Sequence, residues 1–143
     1  MSLSFQQKVD IVTEYLDRIG ALDFEGAGRY LAENAVMVVP FSPSSQEIPP
    51  LMGGQAILDQ LRGTVASAFE SMTFTVDQWY DVADSDVVIA EYHSVCPLKG
   101  RSGEYRNSYV GVFRFARDTI ILHKEYFNPV RLAALAPGDG SRL

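Results

Sequence analysis

Only one cysteine, Cys96, occurs in the chain, so no disulfide within it braces the fold. Its neighbour Pro97 supplies no base, and no helix N-terminus stands nearby to make the thiol reactive. Histidine is nearly as scarce: His93 and His123 stand without carboxylates at the spacing that would complete a zinc site, so we expect no metal. With 12 Lys and Arg against 18 Asp and Glu, the net charge is −6 and the basic residues form no cluster. That excludes the counterion release that drives binding to a phosphate backbone. No apolar run approaches the roughly 18 residues of a membrane span, and the opening MSLSFQQKVD has no basic region followed by an apolar one. These absences predict a domain of a reducing cytoplasm, with neither nucleic acid nor membrane as a partner.

What is present is the balance of a globular chain, with 47% hydrophobic and 11% aromatic residues. Its 143 residues suffice for one core and are too few for two. We expect a single domain over residues 1–130 and a C-terminal tail over 131–143, whose RLAALAPGDGSRL adds at most a turn of helix before Pro137.

Phe5, Val9, Val12, Leu16 and Ile19 recur at spacings of three and four, and Ser4 with Gln7 fits a capping box. A helix is therefore predicted from there to Gly20. A second helix is expected from Asp23 as N-cap through FEGAGRYLAE, stopping near Asn34. AVMVVPF reads as a short strand halted by Pro40. Residues 40–54 hold four of the seven prolines, so a long irregular loop is expected, either a lid over a pocket or a plain surface excursion. QAILDQLRGTVASAFESM reads as a third helix with Ile57, Leu61, Val65, Ala68 and Phe69 on its apolar side.

Beyond it the period changes to two. TFTVDQWYDV, DVVIAEYHSV, GEYRNSYVGVFRF and TIILHKEYFN are predicted as strands joined by tight turns. Helices first and antiparallel strands later is an α+β layout, with the helices covering one face of a curved sheet. In the third of these strands Tyr105, Asn107, Tyr109, Gly111, Phe113 and Phe115 share an uncharged, aromatic side that should face inward. Asn107 would then be an enclosed amide in need of partners.

The last strand is ambiguous. One phase places Ile121, His123, Glu125 and Phe127 inside and Lys124 outside; the other buries Ile120, Leu122, Lys124 and Tyr126. If Glu125 faces inward, it joins Tyr105, Asn107, Tyr109 and His123 in one interior. Desolvation raises a carboxyl pKa unless a donor or cation compensates, and that is how a general acid or base becomes workable near neutral pH. The alternative reading makes Glu125 an ion-pair partner of Arg106 or Lys124 at a subunit interface. The same alternative makes His123 a pocket wall or a satisfied core residue, and Tyr15 a packing residue. Trp79 and Tyr80 fit core, subunit interface or ligand wall equally, whereas Glu91 and His93 fit a solvated or interfacial face.

Taken together, EYLDRIGALDFEGAGRYLAENAVMVVP, YRNSYVGVFRF and HKEYFNPV resemble the nuclear-transport-factor-2-like superfamily, which includes ketosteroid isomerases, SnoaL-like polyketide cyclases and limonene epoxide hydrolases. Within it the last third is most similar to the phenazine-biosynthesis A/B family, through Gly103-Glu104-Tyr105-Arg106-Asn107, Glu125-Tyr126-Phe127-Asn128 and Arg131-Leu132-Ala133-Ala134-Leu135. The resemblance implies a cone of three N-terminal helices on a strongly curved, mainly antiparallel sheet enclosing one pocket. It implies a homodimer paired through the outer sheet face, with no cofactor or metal.

It also places the phenazine-type acid/base glutamate on Glu125, while the histidine those proteins carry on the third helix has no counterpart. The ketosteroid isomerase tyrosine falls on Tyr15, but its base position is Val39 and its second acid position Gly111. The Asp-Arg-Asp set of the epoxide hydrolases is not supplied. The implied site comprises Glu125 and His123 as catalytic residues, with Tyr15, Tyr105, Asn107, Tyr109 and Phe127 around a small, largely apolar or aromatic ligand. A non-catalytic binding or dimerisation module, or a transport-factor-type adaptor, fits the same fold.

Overall fold

The computed structural model describes residues 2–135. The part of the expected tail from 136 to 143, including the helix stop at Pro137, lies outside the described residues.

Helix α1 (Phe5–Gly20) begins as its sequence dictates: the Ser4 side chain accepts from the Gln7 N–H, and the Gln7 side chain accepts from the Ser4 N–H. Val12, Tyr15, Leu16 and Ile19 are buried along one face. The helix stops at Gly20 because the chain leading into the sheet crosses there. A Cβ at this position would stand 2.0 Å from the Met72 carbonyl oxygen, so only glycine admits the crossing. Lys8 on the same helix is also buried, its ammonium donating to Asp81 and to the carbonyl of Ser85.

The second helix is shorter than its spacing suggests. Helix α2 (Phe24–Gly28) is capped by Asp23 but ends after five residues, and the segment expected to continue it is already β1 (Leu31–Val38). Two glycines in the turn weaken the helix, and the Tyr30 carbonyl instead accepts from the Ile120 N–H at 2.7 Å. Leu31 is buried as the helical reading required, but from a strand.

The proline-rich stretch is not wholly irregular either. It contains β2 (Leu51–Met52), antiparallel to Val36 and Met37. Gly53, at φ 104°, turns the chain into α3 (Gly54–Ala68). Phe69 to Met72 leave the helix because Phe69 bridges Leu98, and the Glu70 and Met72 N–H groups are taken by Pro97 and Gly20 carbonyls.

The remaining strands are β3 (Thr73–Asp81), β4 (Val87–Pro97), β5 (Glu104–Ala116) and β6 (Thr119–Phe127), followed by the short α4 (Pro129–Ala133). With β1 and β2 these four strands form one curved, unclosed six-stranded sheet in the order β2-β1-β6-β5-β4-β3. All neighbours pair antiparallel except β1 and β6. With α1, α2 and α3 this is the expected α+β cone.

On β5 every second residue from Tyr105 to Phe115 is buried. The β6 ambiguity is resolved by a bulge. Arg114 pairs with Leu122 but Phe115 pairs with Ile120, which leaves Ile121 as the extra residue. Ile120 is thus inside and fully buried, His123 is buried as well, and Glu125 is half-buried on the same inner side, the last two pairing with Phe113 and Gly111. Neither simple alternation is correct along the whole strand.

Candidate active site

Between α1, α3 and the inner face of the sheet lies a cavity of about 750 Å³. Leu16, Ile19, Val65, Phe69, Phe74 and Phe127 contribute to a wall that is overwhelmingly apolar. Pro43, Ile48, Pro49 and Pro50 from the proline-rich loop and Leu132 from α4 also line it, so the loop is part of the wall. On the sheet side the polar groups are Tyr105, Tyr109, His123 and Glu125. Glu125 is the one carboxylate among the described lining residues, and no lysine or arginine is among them.

The carboxylate is held on one oxygen. Glu125 Oε1 accepts from the hydroxyl of Tyr92, and the same Oε1 lies 3.4 Å from His123 Nε2. That separation permits electrostatic attraction but is too long for an ordinary hydrogen bond. His123 Nε2 is the one buried side-chain nitrogen or oxygen among the described residues that lacks a hydrogen-bond partner. The other ring nitrogen, Nδ1, meets the Tyr15 hydroxyl at 2.9 Å.

Electrostatics selects the tautomer. A bare Nε2 lone pair would face a carboxylate oxygen, whereas an Nε2 proton is attracted to it, so Nδ1 is the acceptor and Tyr15 the donor. Burial, reinforced by the Glu125 charge, pushes the Tyr15 phenol far above its ordinary value and keeps that proton in place. Phe113 completes the support, stacking on the imidazole with centroids 4.6 Å apart.

A second set of hydroxyls stands beside the first. Tyr109 stacks between Tyr92 and Phe127, with interplanar angles of 16° and 14°, and its hydroxyl shares a 2.7 Å hydrogen bond with Ser94. Burial raises the Tyr92 and Tyr109 phenols as well, with Glu125 adding to both shifts. Tyr105 stacks on Phe69 and accepts from the Asn107 amide.

The expected residues therefore occupy two layers. Glu125, His123, Tyr105, Tyr109 and Phe127 reach the cavity wall; Tyr15 and Asn107 do not. Tyr15 stands behind His123. Asn107 also donates to the Asn128 carbonyl and accepts from the Ser108 and Asn128 N–H groups, so it fastens β5 to the start of α4. The alternative partners of Glu125 are engaged elsewhere: Arg106 pairs with Glu104 at 2.6 Å, and Lys124 lies over the Tyr126 ring. On the outer strands Tyr80 donates to Glu91, and His93 pairs with Asp77 at 2.8 Å.

Tyr92 is the residue sequence reasoning passed over. Its polar neighbours Glu91 and His93 drew notice, yet strand alternation turns Tyr92 to the opposite, inner face, where it pairs with Tyr109.

The α+β cone is the nuclear-transport-factor-2-like, ketosteroid-isomerase-like fold. Residues 12–123 match the SnoaL-like domain model, and the chain belongs to that family. A Bacillus subtilis structure solved as a candidate isomerase is 25% identical, with a TM-score of 0.77 and coverage of 92% of this chain and 93% of that one. An uncharacterized PhzA/B-like protein of Pseudomonas aeruginosa is 31% identical over 61 residues, 43% of each chain. A phenazine biosynthesis-related protein of the same species shares the fold, with a TM-score of 0.75 at 12% identity over 93% of this chain and 89% of that one.

Proposed function

We propose that the chain is a small-molecule enzyme in which Glu125 passes a proton to or from a carbonyl, enol or imine substrate, in an isomerisation, cyclisation or condensation. The observation that supports this reading is the placement of Glu125, the one carboxylate among the described residues lining an apolar cavity, with its Oε1 held by the Tyr92 hydroxyl.

The two carboxylate oxygens then divide the work. Oε1 is held by Tyr92, and no described residue hydrogen-bonds Oε2. Oε2 takes the proton from the carbon next to the carbonyl, while charge developing on the substrate oxygen is met by the Tyr109 hydroxyl at the cavity wall, and His123 beside Oε1 tunes the carboxylate. Glu125 then returns the proton at another atom to complete an isomerisation, or the enolate attacks a second carbonyl, whose oxygen takes the proton from Glu125, in a cyclisation or condensation. Tyr105, Tyr109 and Phe127 orient an aromatic or largely apolar substrate; Tyr15 and Asn107 support them from behind. No cofactor enters this reading. The isomerase description of the Bacillus subtilis structure is consistent with it.

The same reading makes residues 1–130 one working domain, paired as a homodimer through the outer sheet face, in the cytoplasm and in secondary metabolism. A second reading, ligand binding without chemistry, is favoured by how little of the cavity wall is polar. A thermal-shift screen of aromatic ketones, aminoketones and polyketide-like lactones, run on wild type and Glu125→Gln near pH 7, tests both. A ligand at a hundred times its dissociation constant stabilises the folded state by about 2.7 kcal/mol. Hits that wild type converts and the variant only binds support the enzyme; conversion by both removes Glu125 from the mechanism, and binding without conversion by either selects the second reading.

A further inference from the structure

Gly111 pairs directly with Glu125 on one side and with Ala90 on the other, so two small residues stand side by side in the sheet next to the acid. Glycine in the middle of a strand weakens it, and usually marks a place where something approaches the backbone closely. Here two rings approach it. A Cβ at position 111 would stand 2.6 Å and 2.9 Å from Cε1 and Cζ of Phe113, and 3.0 Å from Cε1 of Tyr92. Carbon atoms prefer about 3.5–4.0 Å.

Neither ring has room to retreat. Phe113 is fully buried against Tyr15 and His123, and Tyr92 is packed between Phe74 and Tyr109. These rings control both groups that face Glu125 Oε1. Tyr92 does so through its own hydroxyl, and Phe113 through the imidazole stacked upon it.

We propose that Gly111 is a positioning residue for Glu125: by lacking a side chain it lets Tyr92 and Phe113 lie over β5, and so holds Tyr92 and His123 on one carboxylate oxygen. The other oxygen is left for the cavity. The role assigned to Gly111 rests on the reading of Glu125 as the acid/base group, but its test needs no substrate. A hydroxyl donating to a carboxylate gives a downfield, exchange-protected proton resonance, identified as that of Tyr92 by its loss in Tyr92→Phe. Gly111→Ala is expected to lose this resonance while keeping its far-ultraviolet circular dichroism.

Adding Phe113→Leu removes the ring edge nearest the new methyl group and is expected to restore the resonance. A folded Gly111→Ala that retains the resonance overturns the proposal, as does a folded double variant that lacks it. If neither variant folds, Gly111 is a packing requirement of the sheet and the positioning role falls. Conversion of a substrate by Glu125→Gln would instead overturn the acid/base reading and leave the resonance result intact, so the two failures are distinguishable.

Discussion

Tyr15 and His123, 108 positions apart in the chain, meet through a 2.9 Å hydrogen bond between the phenol and Nδ1. This contact joins the first helix to the last strand, and it sets the imidazole so that its other nitrogen faces Glu125. Tyr15→Phe is expected to leave Nδ1 without its donor and to cost about 1–3 kcal/mol of stability, the penalty for an unsatisfied buried polar atom. Urea denaturation measures the loss. Nitrogen NMR of His123 should show the Nε2–H tautomer in wild type and a mixture in the variant.

Replacing Glu125 with glutamine keeps the shape and removes the transferable proton. Turnover of a confirmed substrate is expected to fall by about 10²–10⁴-fold, the usual contribution of general acid–base catalysis, with little change in ligand affinity. Steady-state kinetics beside direct binding separate the two effects.

Alkaline stability follows from the buried phenols. Tyr15, Tyr92 and Tyr109 are all pushed up from the ordinary value of 10.0, by burial first and by Glu125 second. Above pH 10 the unfolded chain gives up these protons while the folded one keeps them, so the folded state binds more protons and stability falls as pH rises. Below that pH their contribution is fully present. Phenolate absorbance from the buried set should therefore appear together with loss of the helical signal; ionisation of these phenols in an intact fold would contradict it.

Lys8 supplies a test away from the cavity. Its ammonium reaches Asp81 at 3.2 Å and the Ser85 carbonyl at 2.9 Å, tying α1 to the end of β3 and the turn before β4. Lys8→Ala is expected to destabilise the fold by about 1 kcal/mol, because the hydrogen bonds of a buried ammonium that tie these elements together are lost. Any effect on ligand binding should be small by comparison in a thermal-shift assay.

Pairing through the outer sheet face would give a particle of twice the 15.8 kDa chain mass by light scattering. A monomer at micromolar concentration would remove the homodimer from the proposed function.

Much of this architecture was readable because single residues act locally. Ser4 and Gln7 cap α1, and the alternation from Tyr105 to Phe115 survives intact. Where long-range pairing overrides local signals, sequence reading failed. Leu31 satisfies a helical stripe but is claimed by Ile120 across the sheet, and the bulge at Ile121 lets β6 bury both Ile120 and His123. Asn107 was correctly read as an enclosed amide, yet its partner Asn128 lies 21 positions away, and that distant contact turns it from the cavity. Tyr92 was readable from the same alternation that exposed Glu91; its link to Glu125 required the register of three strands.

The most direct test of proton transfer at Glu125 is deuterium exchange into an aryl ketone shown to bind the cavity, followed by proton NMR in heavy water. The expected result is loss of the signal from the carbon next to the carbonyl with wild type, at a rate well above buffer, and exchange at the buffer rate with Glu125→Gln. Equal exchange with both proteins would contradict the assignment of Glu125 as the acid/base group.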